Sequence, residues 1–104
     1  GPQDKVKTML QTLNSRRKIL LTKLNSLPGF RCVDTTGAFY AFPNITGTGQ
    51  TSTMLQKELL EEAGVATISG TSFGQNGEGY LRISYANSIE NIELAMSQIK
   101  QYLK

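Results

Sequence analysis

The 104-residue chain carries 11 basic and 8 acidic side chains, and 38% of its residues are hydrophobic. This length and composition predict a single globular domain over residues 1–104, long enough to bury a core, rather than a disordered chain. The net charge of +3 is small and the basic residues are not interleaved with aromatics, so we expect no nucleic-acid partner.

Residue types that the chain lacks exclude several kinds of site. Because it contains no histidine, it supplies neither a Ser-His-Asp triad nor a histidine metal site. A single cysteine, Cys32, cannot form an internal disulfide, and we expect it to be a small core residue rather than a nucleophile. No segment approaches the roughly 18 apolar residues of a membrane-spanning helix. We therefore expect a cytoplasmic protein with no metal and no membrane partner.

The amino-terminal quarter predicts a long amphipathic helix over residues 4–26. Apolar residues recur there at spacings of three, four and seven, which places them on one face of a helix. They are Val6, Met9, Leu10, Leu13, Leu20, Leu24 and Leu27. We expect the helix to end at Leu27-Pro28-Gly29, because proline lacks an N–H donor and glycine allows the chain to reverse.

The middle of the chain predicts two strands and a loop. Phe30–Val33 is a short candidate strand, and a turn at 34–37 separates it from a second candidate at 38–42. The second candidate is almost continuously apolar, so we expect both of its faces to be covered. Residues 44–51 are rich in glycine and threonine, which is typical of a flexible loop.

A second helix is predicted over Thr53–Ala63, with Thr53 and Gln56 forming a capping box at its start and Gly64 ending it. The residues expected on its buried side are Met54, Leu55, Leu59, Leu60 and Ala63. A short β-branched strand at 65–69 follows, and then a glycine-rich loop at 70–79.

The segment Gly79-Tyr80-Leu81-Arg82-Ile83-Ser84-Tyr85-Ala86 predicts a strand with one cation at its centre. Side chains alternate along a strand, so Leu81 and Ile83 lie on one face and Arg82 lies on the other. After it, Asn87 or Ser88 is expected to cap a last helix. The apolar face of that helix is formed by Ile89, Ile92, Met96, Ile99 and Leu103.

These elements follow the order α-β-β-α-β-β-α, which predicts an α/β fold of two layers (α+β). A small, mostly antiparallel sheet would have its helices packed on one face. The other sheet face, which carries Arg82, is then left to water or to something outside this chain.

Arg82 is the residue that this arrangement singles out. A guanidinium binds a carboxylate or a phosphate with two parallel hydrogen bonds, and a buried charge needs a partner. One hypothesis is that Arg82 binds an anionic ligand. The alternative is that it faces water, or that it pairs with Glu78 or Glu90.

Four segments, taken in order, resemble the carboxy-terminal small domain of the class I/II aminotransferases, which are fold type I pyridoxal-phosphate enzymes. They are Gly37-Ala38-Phe39-Tyr40-Ala41-Phe42-Pro43-Asn44, Leu59-Leu60-Glu61-Glu62-Ala63-Gly64-Val65-Ala66, Gly70-Thr71-Ser72-Phe73-Gly74 and Gly79-Tyr80-Leu81-Arg82-Ile83-Ser84-Tyr85-Ala86. The resemblance covers essentially the whole chain and is strongest to aspartate aminotransferases of the bacterial type. Where the family usually has Pro-Gly before the third segment, this chain has Ser69, so the rigidity of that loop is in question.

The resemblance implies that Arg82 binds the α-carboxylate of an amino-acid substrate. It also implies amino-acid and 2-oxo-acid substrates, with aspartate the default, and a homodimer. The aromatic residues of 39–42 are expected to pack in the core; the alternative is that one of them lies near the substrate.

Pyridoxal 5′-phosphate is the cofactor implied for the complete enzyme. The family's cofactor-binding lysine and phosphate-binding residues belong to a large domain amino-terminal to this region. We therefore expect a fragment whose partners are its own large domain and a second subunit, and which alone binds no cofactor and is inactive. Lys57 and Lys100 are expected to be solvent-exposed charges, and apolar surface is expected along the helix at 4–26. The alternative is a free-standing, non-catalytic binding or interaction module with the same fold.

Overall fold

The computed structural model describes residues 2–33, 40–84 and 88–103, which form three helices and three short strands. The helices are α1 (Pro2–Ser26), α2 (Ser52–Ala63) and α3 (Ile89–Leu103), and the strands are β1 (Tyr40–Ala41), β2 (Ile68–Ser69) and β3 (Leu81–Ser84). Short 3-10 turns occupy Thr46–Thr48, Gly70–Phe73 and Gln75–Gly77. The predicted turn at 34–37, residues 38 and 39 of the second candidate strand, the end of the last candidate strand at 85–86 and the predicted cap Asn87 lie outside the described residues.

Strand β3 is the centre of an antiparallel sheet with the order β1-β3-β2. Tyr40 of β1 lies opposite Ser84, and Ile68 of β2 lies opposite Arg82. Helix α3 packs against both α1 and α2, α1 contacts β1 and α2 contacts β2, and the core between them holds the buried face of β3. The predicted fold class, a small antiparallel sheet with helices packed on it, is confirmed.

One hydrophobic core joins the sheet to all three helices. Its members are less than 10% exposed and include Leu20, Leu24, Leu55, Leu59, Leu81, Ile83, Ile92, Met96 and Ile99. Cys32 belongs to the same cluster, as predicted. Burying each leucine, isoleucine or methionine of this set stabilises the fold by about 1.5–3 kcal/mol. The core therefore fixes β3, and with it the opposite face of that strand.

Helix α1 ends at Ser26 as predicted, and Gly29, with φ +80°, reverses the chain behind it. The apolar stripe is buried only in the second half of α1, whereas Val6, Met9 and Leu10 in its first half are 51%, 56% and 58% exposed, in agreement with the apolar surface expected along this helix. The reason is length. A helix of 25 residues spans about 37 Å, and the core contacts only its carboxy-terminal part, residues 19–24.

The strand predicted at Phe30–Val33 is wrong, because only Arg31 pairs there, in an isolated bridge with Asn44. The side chain of Asn25 takes the place of a strand partner. Its Oδ1 accepts from the N–H of Cys32 at 2.9 Å, and its Nδ2 donates to the carbonyl of Cys32 at 2.9 Å. A side-chain amide thus satisfies the backbone groups that a ladder would have used.

Two further predicted strands, at 65–69 and 38–42, pair over only part of their described residues. In the segment 65–69 only Ile68 and Ser69 pair with β3, because the N–H of Val65 donates to the carbonyl of Leu59 and closes the end of α2 instead. In the segment 38–42 the described strand is Tyr40–Ala41. The expectation that both of its faces are covered is wrong, since Ala41 is buried whereas Tyr40 and Phe42 are 37% and 39% exposed.

Helix α2 begins one residue earlier than predicted, and its cap is different. The side chain of Thr51 accepts a hydrogen bond from the N–H of Met54 at 3.2 Å, so the predicted capping box of Thr53 and Gln56 is wrong. Gln56 instead accepts from the N–H of Ser69. The helix ends at Gly64, with φ +70°, as predicted. Its buried side is Ser52, Leu55, Leu59 and Ala63, whereas Met54 and Leu60 are exposed, contrary to prediction.

Helix α3 agrees with its periodicity. Its buried residues are Ile92, Met96 and Ile99, and the hydroxyl of Ser88 accepts from the N–H of Asn91 at 3.1 Å. Of the two predicted caps, Ser88 is therefore confirmed. The clean spacing of three and four was a sufficient signal, because a single face of this helix meets the core.

Candidate functional site: the open face around Arg82

Arg82 lies at the middle of the central strand and on the face that the helices leave open. Its neighbours Leu81 and Ile83 are buried, whereas Arg82 is half-buried and Ser84 is exposed. The alternation predicted from the sequence is therefore confirmed. The strand holds the Arg82 backbone through ladders on both sides, which places the side chain on a rigid element.

Two aromatic rings flank the guanidinium. Its central carbon lies 4.2 Å from the centroid of the Tyr40 ring and 4.5 Å from the centroid of the Phe73 ring. Tyr40 belongs to β1 and Phe73 to the turn after β2, so the rings approach from the two elements on either side of β3. Both distances are within the range of a cation–π interaction. Among 39–42, Tyr40 therefore lies on the open face beside Arg82 and not in the core.

The acidic partners considered for Arg82 do not pair with it. Within residues 5–33, 40–84 and 88–103, whose side chains the structure describes, Arg82 forms no ion pair. The carboxylate of Glu78 accepts instead from the N–H of Ser52 at 2.8 Å and of Gly79 at 2.7 Å. The Ser52 N–H, at the start of α2, is the main cause that holds the pKa of Glu78 below its usual value, and the Gly79 N–H adds to it. Glu78 is thus a structural carboxylate at a helix start.

A cluster of hydroxyl groups holds the loop that carries Phe73. The hydroxyl of buried Ser69 forms hydrogen bonds with the hydroxyls of Ser52 at 2.8 Å and of Thr71 at 2.6 Å. The backbone N–H of Ser69 donates to Oε1 of Gln56. Ser69 has φ −59°, which proline could also adopt. A proline would lack both the N–H and the hydroxyl, so serine replaces the rigidity of a ring with four polar contacts that include the Thr71 N–H at 3.3 Å.

The same loop depends on a close approach of two glycines. A Cβ on Gly70 would lie 2.2 Å from the carbonyl oxygen of Gly77, and one on Gly77 would lie 1.9 Å from that of Gly70. Side chains are therefore excluded at both positions, and the backbone folds back on itself between them. This compact loop therefore fixes the position of the Phe73 backbone.

The chemistry of the open face follows from its composition. Ile68 lies opposite Arg82 in the β2–β3 ladder and is 38% exposed, so apolar as well as aromatic side chains lie beside the cation. A planar guanidinium that forms no ion pair with the described residues is suited to a carboxylate or phosphate. Lys57 and Lys100 lie exposed on α2 and α3, as predicted. The Arg82 guanidinium and its neighbours therefore fit an anionic group.

Sequence reasoning found Arg82 but missed most of what surrounds it. Tyr40 was expected in the core, and neither Glu78 nor Ser69 was expected to contact the start of α2. Phe73 was expected only as part of the glycine-rich loop at 70–79, with no role beside Arg82. The position of Tyr40 follows from strand register. Tyr40 pairs with Ser84, so once the β1–β3 pairing is known its side chain falls on the same face as Arg82.

Comparison with known proteins identifies the relatives of this chain. A family model described as "Aminotransferase class I and II" matches residues 1–99. The chain is 48% identical over 99 residues to an aspartate aminotransferase of Pyrococcus horikoshii, which covers 95% of this chain and 25% of the relative. It is 40% identical over 99 residues to an aromatic-amino-acid aminotransferase of Thermococcus litoralis, with 95% and 25% covered.

Solved structures agree with the sequence matches. An aromatic aminotransferase of Pyrococcus horikoshii superposes with a TM-score of 0.92 at 42% identity, over 97% of this chain and 27% of that one. The chain thus spans about a quarter of the length of the relatives that it matches. None of the helices described in this chain is long and apolar enough to cross a membrane.

Proposed function

This chain belongs to the class I and II aminotransferases, and on that premise we propose that Arg82 binds the α-carboxylate of the amino-acid substrate in the complete enzyme. The observation that carries the proposal is the open guanidinium on β3, flanked by Tyr40 and Phe73 and without an ion pair among the described residues. The complete enzyme would exchange an amino group between an amino acid and a 2-oxo acid. This chain would supply one part of that site.

Arg82 would act by binding and orientation. Two parallel N–H donors on a planar fork fix both the position and the plane of a carboxylate. With the carboxylate held, rotation of the substrate's Cα is restricted, and the same bond is presented for reaction in each cycle. Where the rest of the complete enzyme covers this face, the reduced access of water would strengthen the pairing.

The family implies pyridoxal 5′-phosphate in the complete enzyme, where it supplies the electron sink for the chemistry at Cα. We propose that this chain by itself does not attach the cofactor. Covalent attachment needs a lysine in a desolvated setting, whereas Lys57 and Lys100 are exposed. Residues 1–104 would then be the small domain of the enzyme, partnered by a large domain that carries the cofactor.

We propose aspartate as the amino-acid substrate. The name of the Pyrococcus horikoshii relative at 48% identity supports it, although the Thermococcus litoralis relative is named for aromatic amino acids. Arg82 itself would not discriminate, because every amino acid presents the same α-carboxylate. Ranking kcat/KM for aspartate, alanine, phenylalanine and kynurenine in the complete enzyme decides the point; a preference for phenylalanine would refute aspartate.

A homodimer in the cytoplasm is also part of the proposal. Its support is the family, together with the low cysteine content of the chain, whose single cysteine, Cys32, is buried in the core. Sedimentation of the complete enzyme and fractionation of the cells that make it provide the measurements. A monomer, or recovery outside the cytoplasm, would contradict this part alone.

The test of the Arg82 role is Arg82→Lys in the complete enzyme. Lysine keeps the charge but loses the planar fork, so KM for every amino-acid substrate should rise about tenfold to a hundredfold, with a lower kcat. Arg31→Lys is the matched control, since Arg31 is exposed on another part of the chain. Unchanged steady-state kinetics of Arg82→Lys would show that another residue holds the carboxylate.

A further inference from the structure

The aromatic neighbours of Arg82 differ from an acidic partner in one respect that matters for binding. An acidic side chain would occupy the N–H donors of the guanidinium and neutralise its charge. A ring attracts the cation through its π face and accepts none of those hydrogen bonds in the plane of the guanidinium. Tyr40 and Phe73 therefore restrain Arg82 at 4.2 and 4.5 Å while its donors stay available.

Restraint matters because arginine is a long side chain with many rotamers. An unrestrained arginine loses that freedom when it binds a carboxylate, and the loss weakens binding. Here β3 fixes the backbone, and a ring on either side of the strand limits the side chain before any ligand arrives. The entropy cost is then met during folding and not during binding.

The two rings are themselves held by different devices. Tyr40 is fixed by the β1–β3 ladder, opposite Ser84. Phe73 is fixed by the loop that the Ser69 hydroxyl cluster and the approach of Gly70 to Gly77 hold in place. Neither ring is a core residue, since Tyr40 and Phe73 are 37% and 54% exposed. Their position is therefore not explained by burial in the core.

We propose that Tyr40 and Phe73 are positioning residues that preorganise Arg82 for the substrate carboxylate, a proposal that rests on the proposed function of Arg82. They act through Arg82 and not on the reacting atoms. Loss of either ring leaves the guanidinium in place but mobile, so substrate binding weakens while the chemical step is retained.

The experiment compares Tyr40→Leu and Phe73→Leu in the complete enzyme, each with and without Arg82→Ala. With Arg82 present, each leucine variant should raise KM for amino-acid substrates about threefold to tenfold, with kcat within about twofold. Tyr40→Phe keeps the ring and should recover most of the KM lost in Tyr40→Leu. With Arg82 absent, the leucine substitutions should have no further effect on KM, because coupled residues are not additive.

Tyr102→Leu is the control, because Tyr102 is an aromatic residue near the end of α3 that bonds Gln50 and forms no described ring contact with Arg82. It should leave KM unchanged, and thermal unfolding of each variant checks that the fold is retained. If Arg82→Ala raises KM but the leucine variants do not, the positioning role is refuted while the proposed function stands.

Two other outcomes separate the hypotheses. If the leucine variants raise KM equally with and without Arg82, the rings act on the fold or on the substrate directly, which refutes positioning through Arg82. If Arg82→Ala itself leaves KM unchanged, the proposed function fails, and the inference fails with it.

Discussion

At the scale of single residues, the carboxylate of Glu78 connects two elements that the chain order keeps apart. It accepts the N–H of Ser52 at the start of α2 and the N–H of Gly79 just before β3. These donors favour the charged carboxylate, and a helix start favours negative charge as well. Glu78 thus links the loop after β2 to the start of α2.

This contact makes the stability of the chain depend on pH. Because the pKa of Glu78 is held below its usual value of 4.5, protonation is harder in the folded chain than in the unfolded chain. Its stabilising effect is fully present above pH 4.5 and is lost as the pH falls through the lowered pKa. Glu78→Gln should therefore lower the free energy of unfolding at pH 7, and the difference from wild type should shrink towards pH 3.

Urea unfolding of the chain at a series of pH values measures this. Glu61→Gln is the control, because Glu61 is an exposed carboxylate of α2 that forms no hydrogen bond with the described residues. It removes the same charge without removing the helix-start contact. A Glu78→Gln difference that is constant from pH 3 to pH 7 would contradict the linkage.

At the scale of elements, the two halves of α1 differ in their packing. Its carboxy-terminal part contributes Leu20 and Leu24 to the core, whereas its amino-terminal part exposes Val6, Met9 and Leu10. Three large apolar side chains on one exposed face form a contiguous patch, which is typical of a surface that another structure covers. We propose that the large domain covers it in the complete enzyme.

The chain on its own should therefore self-associate through this patch. The double substitution Met9→Lys/Leu10→Lys places charges there and should weaken association about tenfold or more, because transferring these side chains out of water drives the contact. Leu94→Lys on α3 is the control, since Leu94 is 57% exposed but stands away from α1's first half. Sedimentation over a range of concentrations is the measurement, and a strictly monomeric wild-type chain would contradict the expectation.

At the scale of the whole molecule, the proposed function divides the site between two parts, with the carboxylate bound by this chain and the cofactor attached by the large domain. The chain spans about a quarter of the length of its relatives, and its lysines on α2 and α3 are exposed. We therefore expect that the chain incubated with pyridoxal 5′-phosphate and aspartate gives no turnover and no stoichiometric lysine adduct. Borohydride reduction followed by intact-mass measurement tests this, with the complete enzyme as the positive control. One adduct per chain on a single lysine would refute it.

The sequence by itself determined the features that depend on near neighbours. Pro28 and Gly29 ended α1, the spacing of Ile92, Met96 and Ile99 predicted α3, and the alternation around Arg82 predicted its open face. Each depends on backbone geometry within a few residues, which periodicity and capping rules describe.

The tertiary structure alone decided what surrounds Arg82. Tyr40 and Phe73 contact it from two different elements. Glu78 bonds to the N–H of Ser52, 26 positions away in the sequence, and not to Arg82. In the segment predicted as a strand at Phe30–Val33, the side chain of Asn25 likewise bonds the backbone of Cys32 in place of a neighbouring strand. Such contacts are set by how the sheet and helices close on the core, and no local pattern encodes them. The position of Arg82 on the open face was therefore readable in the sequence, whereas the two rings that flank it were decided by how the chain folds.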